Sequence, residues 1–428
     1  MNYSNTTALP GRVSAKQRLD SFNPSEYKRT RNFIKGNVSK LSPYITHGIL
    51  SLEEVYDSLT KKYNLRPDHK FVNELMWRQF FHHVWTKKGE NIFSSLGEEA
   101  VPKSFYKSEL PGDITRAKTG LAVIDKSIQG LYESGYIHNH ARMWLAAYIV
   151  HFRKVYWKVG ADWMYALLVD GDLASNHLSW QWVAGTSRSS IYIFNAENVK
   201  KYGPEEFCVK GTSLDKSYSE LSDLAFSRKT IGNELITEDE LIPFEPPLIR
   251  SYPPIDLPDV RDAKLDDFFL IHPWNIGFSD EINSHRKKIG IIFEEFHKKW
   301  PWSTIKWDFV LKSMEETCDD IFICRDASQI GKCLSTYNQH LEEIPRFPFD
   351  RVNMIFEKKI GLEPGQYCHS FSKYWRKIEK IIIHKDFKGE ALSWQGFDIA
   401  LIKLELKRGM NISEGKTMPI CLPNDDFD

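Results

Sequence analysis

The stretch Asp170-Gly171-Asp172-Leu173-Ala174-Ser175-Asn176, closing on Trp180-Gln181-Trp182, decides how this chain is read. Two acids, an amide and two indoles in so short a run do not suit a packing helix. A surface helix keeps its charges on one face, and a fully buried helix carries almost none. The run follows an apolar segment, residues 163–169, so its polar groups are expected to line a partly buried cavity. Buried polar groups need partners, and a polar ligand is one source of them.

Outward from this stretch, residues 1–205 place apolar side chains at helical spacing over 52–63, 72–86, 121–134, 138–159 and 162–169. The segment 138–159 is apolar almost all round and predicts a central buried helix. Residues 206–262 carry Pro243, Pro246, Pro247, Pro253, Pro254 and Pro258 and read as an extended, acidic connector. Beyond it the pattern alternates: strand 267–271, helix 279–299, helix 307–317, strand 321–324 and helix 328–341. The expected fold class is therefore mainly α. An all-helical domain over 1–205 is followed by a smaller α/β region over 263–384 and an irregular tail over 385–428.

The net charge of zero, 57 basic against 57 acidic residues, hides an asymmetry. Residues 1–205 carry 27 Lys and Arg against 19 Asp and Glu, and the remainder is acidic by the same margin. A basic front half suits a polyanionic partner, although uneven surface charge explains it equally well. The six cysteines, Cys208, Cys318, Cys324, Cys333, Cys368 and Cys421, form no CxxC pair. They read as reduced thiols, not as a disulfide or zinc framework, and no metal is expected. No apolar run reaches membrane-spanning length and the polar N-terminus lacks a signal-peptide shape, so a soluble intracellular protein is expected.

Three further motifs accompany the opening one in order: Ser39-Lys40-Leu41-Ser42-Pro43-Tyr44, Glu74-Leu75-Met76-Trp77-Arg78-Gln79-Phe80-Phe81, and Gly135-Tyr136-Ile137-His138-Asn139-His140-Ala141-Arg142-Met143. Together, over residues 18–202, they resemble the FAD-binding domain of the photolyase/cryptochrome family. The resemblance implies FAD as cofactor. Tyr27 would lie near the phosphates, with Val38, Ser39, Lys40, Leu41 and Ser42 forming the pyrophosphate loop at the start of a helix. Ser42 before Pro43 also reads as an N-cap. Arg142 and Asp170 would form the ion pair against the isoalloxazine, Asp172 its companion acid, and Asn176 the group facing flavin N5.

The same resemblance implies DNA containing pyrimidine dimers as partner. A dimer flipped from the stack would be sandwiched by Trp77 and Trp182 and hydrogen-bonded by Glu74 and Asn139. Met143 would line the pocket and Arg78 would hold phosphate. Glu74 would stabilise the dimer radical anion, and Trp180 and Trp157 would feed electrons to the flavin. The third member of the usual tryptophan chain is missing, with Tyr106 as the oxidisable candidate. The implied activity is light-driven repair of pyrimidine dimers by a carbon–carbon lyase. The alternatives are a cryptochrome-like photoreceptor without repair and a dark flavoprotein.

The chain departs from the family in places. Ile191-Tyr192-Ile193-Phe194-Asn195-Ala196 lacks the usual Arg and Pro, and Tyr136 and Val38 replace a common Trp and Thr. Asn139 separates His138 from His140, which favours a cyclobutane-dimer or DASH-like site over a (6-4) site. His138 reads as a hydrogen-bonded core histidine. The family's α/β antenna domain does not precede the flavin domain here. Trp307-Asp308-Phe309-Val310-Leu311-Lys312-Ser313-Met314 and Ser370-Phe371-Ser372-Lys373-Tyr374-Trp375-Arg376 resemble parts of it, so 263–384 reads as a relocated antenna-like domain or as an unrelated appendage. The C-terminal half is also a candidate surface for a protein partner. The tail, with Asp398 and Pro419-Ile420-Cys421-Leu422-Pro423, resembles a fragment of a trypsin-like serine protease without its His or Ser.

Overall fold

In the computed structural model, described here for residues 8–388 apart from 189, 233–244, 264, 266, 278–285 and 362, helices dominate the first half. They are α1 (Arg12–Ser21), α2 (Tyr27–Thr30), α3 (Ser42–Thr46), α4 (Leu52–Tyr63), α5 (Lys70–Lys88), α6 (Gly112–Thr115), α7 (Ala122–Ser134), α8 (Asn139–Ala147), α9 (Trp157–Leu167), α10 (Leu173–Ala184) and α11 (Ala196–Tyr202). The boundaries follow local chemistry. Ser51 accepts the Glu54 N–H at the start of α4, and Gly135 and Gly185 take left-handed conformations at the ends of α7 and α10. The helix expected over 138–159 is not continuous. α8 passes into a π-turn at Tyr148–Phe152, and the backbone then leaves the helix before α9 begins.

Two buried cations explain that break. Arg153 forms a bidentate pair with Asp113, at 2.6 and 3.0 Å. Lys154, at φ 51°, donates to the carbonyls of Leu224 (3.1 Å) and Ala225 (2.6 Å). The two carbonyls close α12 (Tyr218–Phe226), which the proline pattern did not reveal; its start is a reciprocal Ser217/Glu220 capping box. The connector is thus partly helical.

The second half contains strands β1 (Ile249–Arg250), β2 (Phe269–Ile271), β3 (Lys288–Phe293), β4 (Trp302–Ser303), β5 (Asp320–Cys324), β6 (Cys333–Thr336) and β7 (Val352–Ile355). It also contains helices α13 (Glu294–Lys299), α14 (Thr304–Glu315) and α15 (Phe371–Lys388). β1 pairs antiparallel with β4, and the other five strands form a parallel sheet in the order β5-β3-β2-β6-β7. Two predicted helices are corrected. Residues 288–293 are a strand, because their run of isoleucines is buried on both faces as parallel strands are. Residues 333–336 are a strand too, set between short 3-10 turns capped by Asp326 and Asn338. The protease-like stretch beyond residue 388, with Asp398, lies outside the described residues.

The order of strands reverses between β2 and β6, the point at which open parallel sheets usually offer a ligand crevice. Here the loops leaving those strand ends meet the helical half. The His47 ring lies between the carbonyls of Pro273 and Val169, its nitrogens 2.6 and 2.8 Å from them. The Ile276 and Gly277 N–H groups donate to the carbonyls of His47 and Gly48. At the opposite end of the chain, the Gly11 N–H donates to Ser313 Oγ of α14 at 3.0 Å. One apolar cluster accordingly runs through both halves, joining Phe80, Trp85 and Val169 to Ile271, Trp302 and Phe309. Among the described residues no helix is long and apolar enough to cross a membrane, and the five described cysteines are free.

Asp113→Ala should lower the unfolding free energy measured in urea by about 3–5 kcal/mol, because Arg153 is left buried without a counter-charge. A loss below about 1 kcal/mol would remove this explanation of the break.

Candidate functional site

The Asp170–Asp172 loop joins α9 to α10 and is packed from three sides. Asp172 is the N-cap of α10: its Oδ1 accepts the Ser175 N–H at 2.7 Å. Its Oδ2 takes Arg78 at 3.2 Å and His82 Nε2 at 2.9 Å, both from α5. Burial would raise this fully enclosed carboxyl, but Arg78 and His82 hold it well below the ordinary carboxylate range. His340, in the turn after β6, stands 3.9 Å away. Burial keeps it neutral; its Nδ1 donates to Asn338 Oδ1 (2.8 Å) and its Nε2 faces the Leu173 N–H (3.4 Å).

Asp170 is bonded on one side only. Its Oδ2 accepts Ser42 Oγ at 2.5 Å and Arg142 at 2.9 Å, while its Oδ1 is buried without a partner. Ser42 is therefore not a cap. It is the first residue of α3, and its hydroxyl reaches Asp170 instead. Arg142 is anchored by the Ile137 carbonyl (2.9 Å) and lies over the Tyr136 ring. The loop before α3 turns on Lys40, at φ 54°. Arg18 takes the carbonyls of Val38 (3.2 Å) and Ser39 (2.6 Å), and Leu41 is fully buried. Lys40 is half-buried, and burial together with Arg18 draws its ammonium down.

Asn176 lies one turn into α10, with one N–H held by the Ala161 carbonyl at 2.8 Å. Trp180 packs against Gly160, where an added Cβ would sit 2.3 Å from the indole. Trp157 is buried and donates to Ser95 Oγ at 2.9 Å. From it the rings continue outward: Tyr156 at 5.8 Å, then Tyr106 a further 6.3 Å on. Ser95 Oγ also donates to Glu99 (2.7 Å) and stands 3.3 Å from the Tyr156 hydroxyl.

The remaining residues are more dispersed. Tyr27 packs edge-on to Phe22 and Phe71, its buried hydroxyl pushed up by burial and by nearby Glu74. Glu74 is flanked by Lys70 (3.1 Å) and Arg31 (3.4 Å). Asn139 is exposed and touches Met143 through its amide, at 3.7 Å. His138 caps α8, accepting the His140 N–H. Arg78, expected to hold phosphate, is instead engaged by Asp172 and by Thr46 Oγ1 (3.1 Å). Trp77 is stacked on Phe371 of α15, centroids 4.1 Å apart and 9° from parallel. Trp182 lies beneath the Arg188 guanidinium at 3.6 Å. The two indoles expected to form one sandwich each have a face covered by the chain itself and belong to separate apolar clusters.

Residues 71–224 match the family model described as the FAD binding domain of DNA photolyase. This segment is a photolyase-type FAD-binding domain. Over 228 residues the chain is 30% identical to a deoxyribodipyrimidine photo-lyase of Agrobacterium fabrum, covering 50% of this chain and 46% of that protein. It is 29% identical over 189 residues to a chloroplastic/mitochondrial cryptochrome DASH of Solanum lycopersicum, covering 42% and 33%. A solved Synechocystis cryptochrome shares 26% identity over 47% of this chain and 46% of its own, with a TM-score of 0.43. The chain thus spans less than half the length of these relatives.

The cofactor of the domain is FAD, and the residues present suit it. The unpartnered Asp170 Oδ1 is a buried acceptor awaiting a donor such as a flavin or ribose N–H or O–H. Beside the Lys40 turn, Arg18 and Lys40 bring the positive charge that a diphosphate needs. His82, His340 and Ser175 were not legible as part of this loop. Only its acidic pair, which had to be neutralised once buried, hinted at them.

Asp172→Asn should destabilise the protein at pH 7 and pH 5 alike. A depressed carboxyl contributes its stability above the unfolded value, about 3.9, and loses it as pH falls through the folded one. The gap between variant and parent should therefore narrow below about pH 4; a gap that widens there would contradict the Arg78/His82 assignment.

Proposed function

We propose that the protein is a light-driven flavoprotein that repairs pyrimidine dimers in DNA. The observation that carries this reading is the Ser42–Asp170–Arg142 cluster with its unsatisfied acceptor, two of whose members, Arg142 and Asp170, lie in the segment that matches the photolyase FAD-binding domain. We read residues 1–205 as the flavin-binding part and 263–384 as an α/β part docked on it.

Bound FAD would supply the electron-transfer chemistry, delivering one electron under light and recovering it after ring opening. Tyr27 and the loop Val38, Ser39, Lys40, Leu41 and Ser42 would hold its phosphates, and Arg142, Asp170 and Asn176 its ring system. Asp172 serves from behind, by fixing the start of α10. Glu74, its carboxylate flanked by Lys70 and Arg31, would take an N–H of the flipped lesion. Asn139 and Met143 would border the lesion from α8. Trp180 and Trp157 would bring electrons inward, with Tyr156 and Tyr106 as the outer steps and Ser95–Glu99 as the acceptor for a tyrosine proton.

A second reading, a cryptochrome-like photoreceptor without repair, is favoured by one feature: Phe371 and Arg188 cover the rings that would grip a lesion. Illumination of the reduced protein with a dimer-containing oligonucleotide separates the two. Repair should be restored thymine, reduced at least tenfold in Asn176→Ala and in Trp77→Ala with the fold retained. No restored thymine in the parent protein selects the receptor. Phe371→Ala should raise lesion affinity if that ring shields Trp77, and unchanged affinity would count against the shielding.

A further inference from the structure

Lys306 comes from the third position of α14, in the α/β half, and its side chain is completely buried. Its ammonium donates to the carbonyls of Gly171 (3.1 Å) and Tyr165 (3.3 Å). It also lies over the rings of Tyr165 (4.1 Å) and Trp302 (4.6 Å). Approach to the loop is so close that a Cβ on Gly171 would meet Lys306 Nζ at 2.9 Å and the Tyr165 carbonyl at 2.7 Å. A glycine between the two acids is thus what lets the lysine in.

A buried ammonium is costly unless anions and acceptors surround it. Burial draws this one down to about 7, and the charges that draw it back up are Asp170 and Asp172. The other charged or titratable groups around the loop include Arg78 and His82 on Asp172, Arg142 on Asp170, the neutral His47, His340 and His297, and the buried hydroxyls of Tyr165 and Tyr136. Among these, Lys306 alone faces the Gly171 carbonyl. It reaches the loop from the side of the sheet, whereas Ser42 and Arg142 meet Asp170 from the helical half.

We propose that Lys306 is a positioning residue of the flavin site, contributed by the α/β half: it fixes the Asp170–Asp172 loop and supplies the positive charge behind it that favours reduced flavin. The proposal rests on FAD binding by this domain. It also gives the α/β half a role that needs no second chromophore.

The test uses the full-length chain, in Lys306→Met, which loses donor and charge, and Lys306→Gln, which keeps a donor for Gly171. Affinity is read by flavin fluorescence and the redox balance by dye-referenced titration. Lys306→Met should bind oxidised FAD about tenfold more weakly. Its preference for reduced over oxidised FAD should fall a further tenfold, a two-electron midpoint lower by about 30 mV. Lys306→Gln should recover affinity but not the midpoint. Wild-type affinity and midpoint in a folded Lys306→Met overturn the proposal. A shared loss of denaturant stability with an unmoved midpoint, or loss of fold in both variants, reduces Lys306 to a docking pin and overturns it as well. Failure of the parent chain to bind FAD would instead remove the cofactor reading beneath it.

Discussion

The burial of Asp172 is the constraint around which the rest is arranged. A carboxylate with no exposed surface demands compensation on every side, and three separate parts of the chain provide it. α5 brings Arg78 and His82, α10 offers the Ser175 N–H, and the turn after β6 closes the remaining side with a neutral His340. With that acid fixed, the start of α10 is fixed, and with it the positions of Asn176 and Trp180. The neighbouring Asp170 can then remain half-bonded, because the loop does not depend on it for its own shape.

The α/β half contributes to the same constraint. Its strand order would ordinarily leave a crevice at the ends of β2 and β6. In this chain the loops from those ends hold His47, Gly48 and Leu173 of the helical half. Trp274 stacks on His340 with centroids 5.0 Å apart, so the turn that faces Asp172 is itself stiffened from the sheet. The place where such a sheet would bind a small molecule is here packed against the helical half.

Much of this was legible before any coordinates. Helical spacing located α4, α5 and α7 to within two residues at either end, and the acidic run coincides with the loop between α9 and α10. What escaped was decided by distant partners. Residues 138–159 look like one helix because their apolar pattern is unbroken, but Arg153 and Lys154 bond to Asp113 and to the end of α12. The isoleucine-rich 288–293 has no alternation, since a strand buried on both faces shows none. Lys306 falls just before the helix read over 307–317, and the observed helix starts earlier, at Thr304. Nothing local says that its ammonium ends 135 residues away in sequence, on Gly171. The stacking of Phe371 on Trp77 is equally non-local.

Those long separations bear on how the chain reaches its native state. The contacts that close the loop and its surroundings link residues 226 apart at His47 and Pro273, 295 apart at Gln79 and Tyr374, and 302 apart at Gly11 and Ser313. Long-range contacts of this kind form late, after loop-closure entropy has been overcome. During synthesis from the N-terminus the flavin-binding helices emerge first. Their acids and apolar faces lack the sheet until α14, and then α15, have left the ribosome. The helices that share an apolar cluster with the sheet are therefore without that cover until α14 and α15 are made, whereas the cluster around Trp144 and Leu145 is complete before the sheet begins.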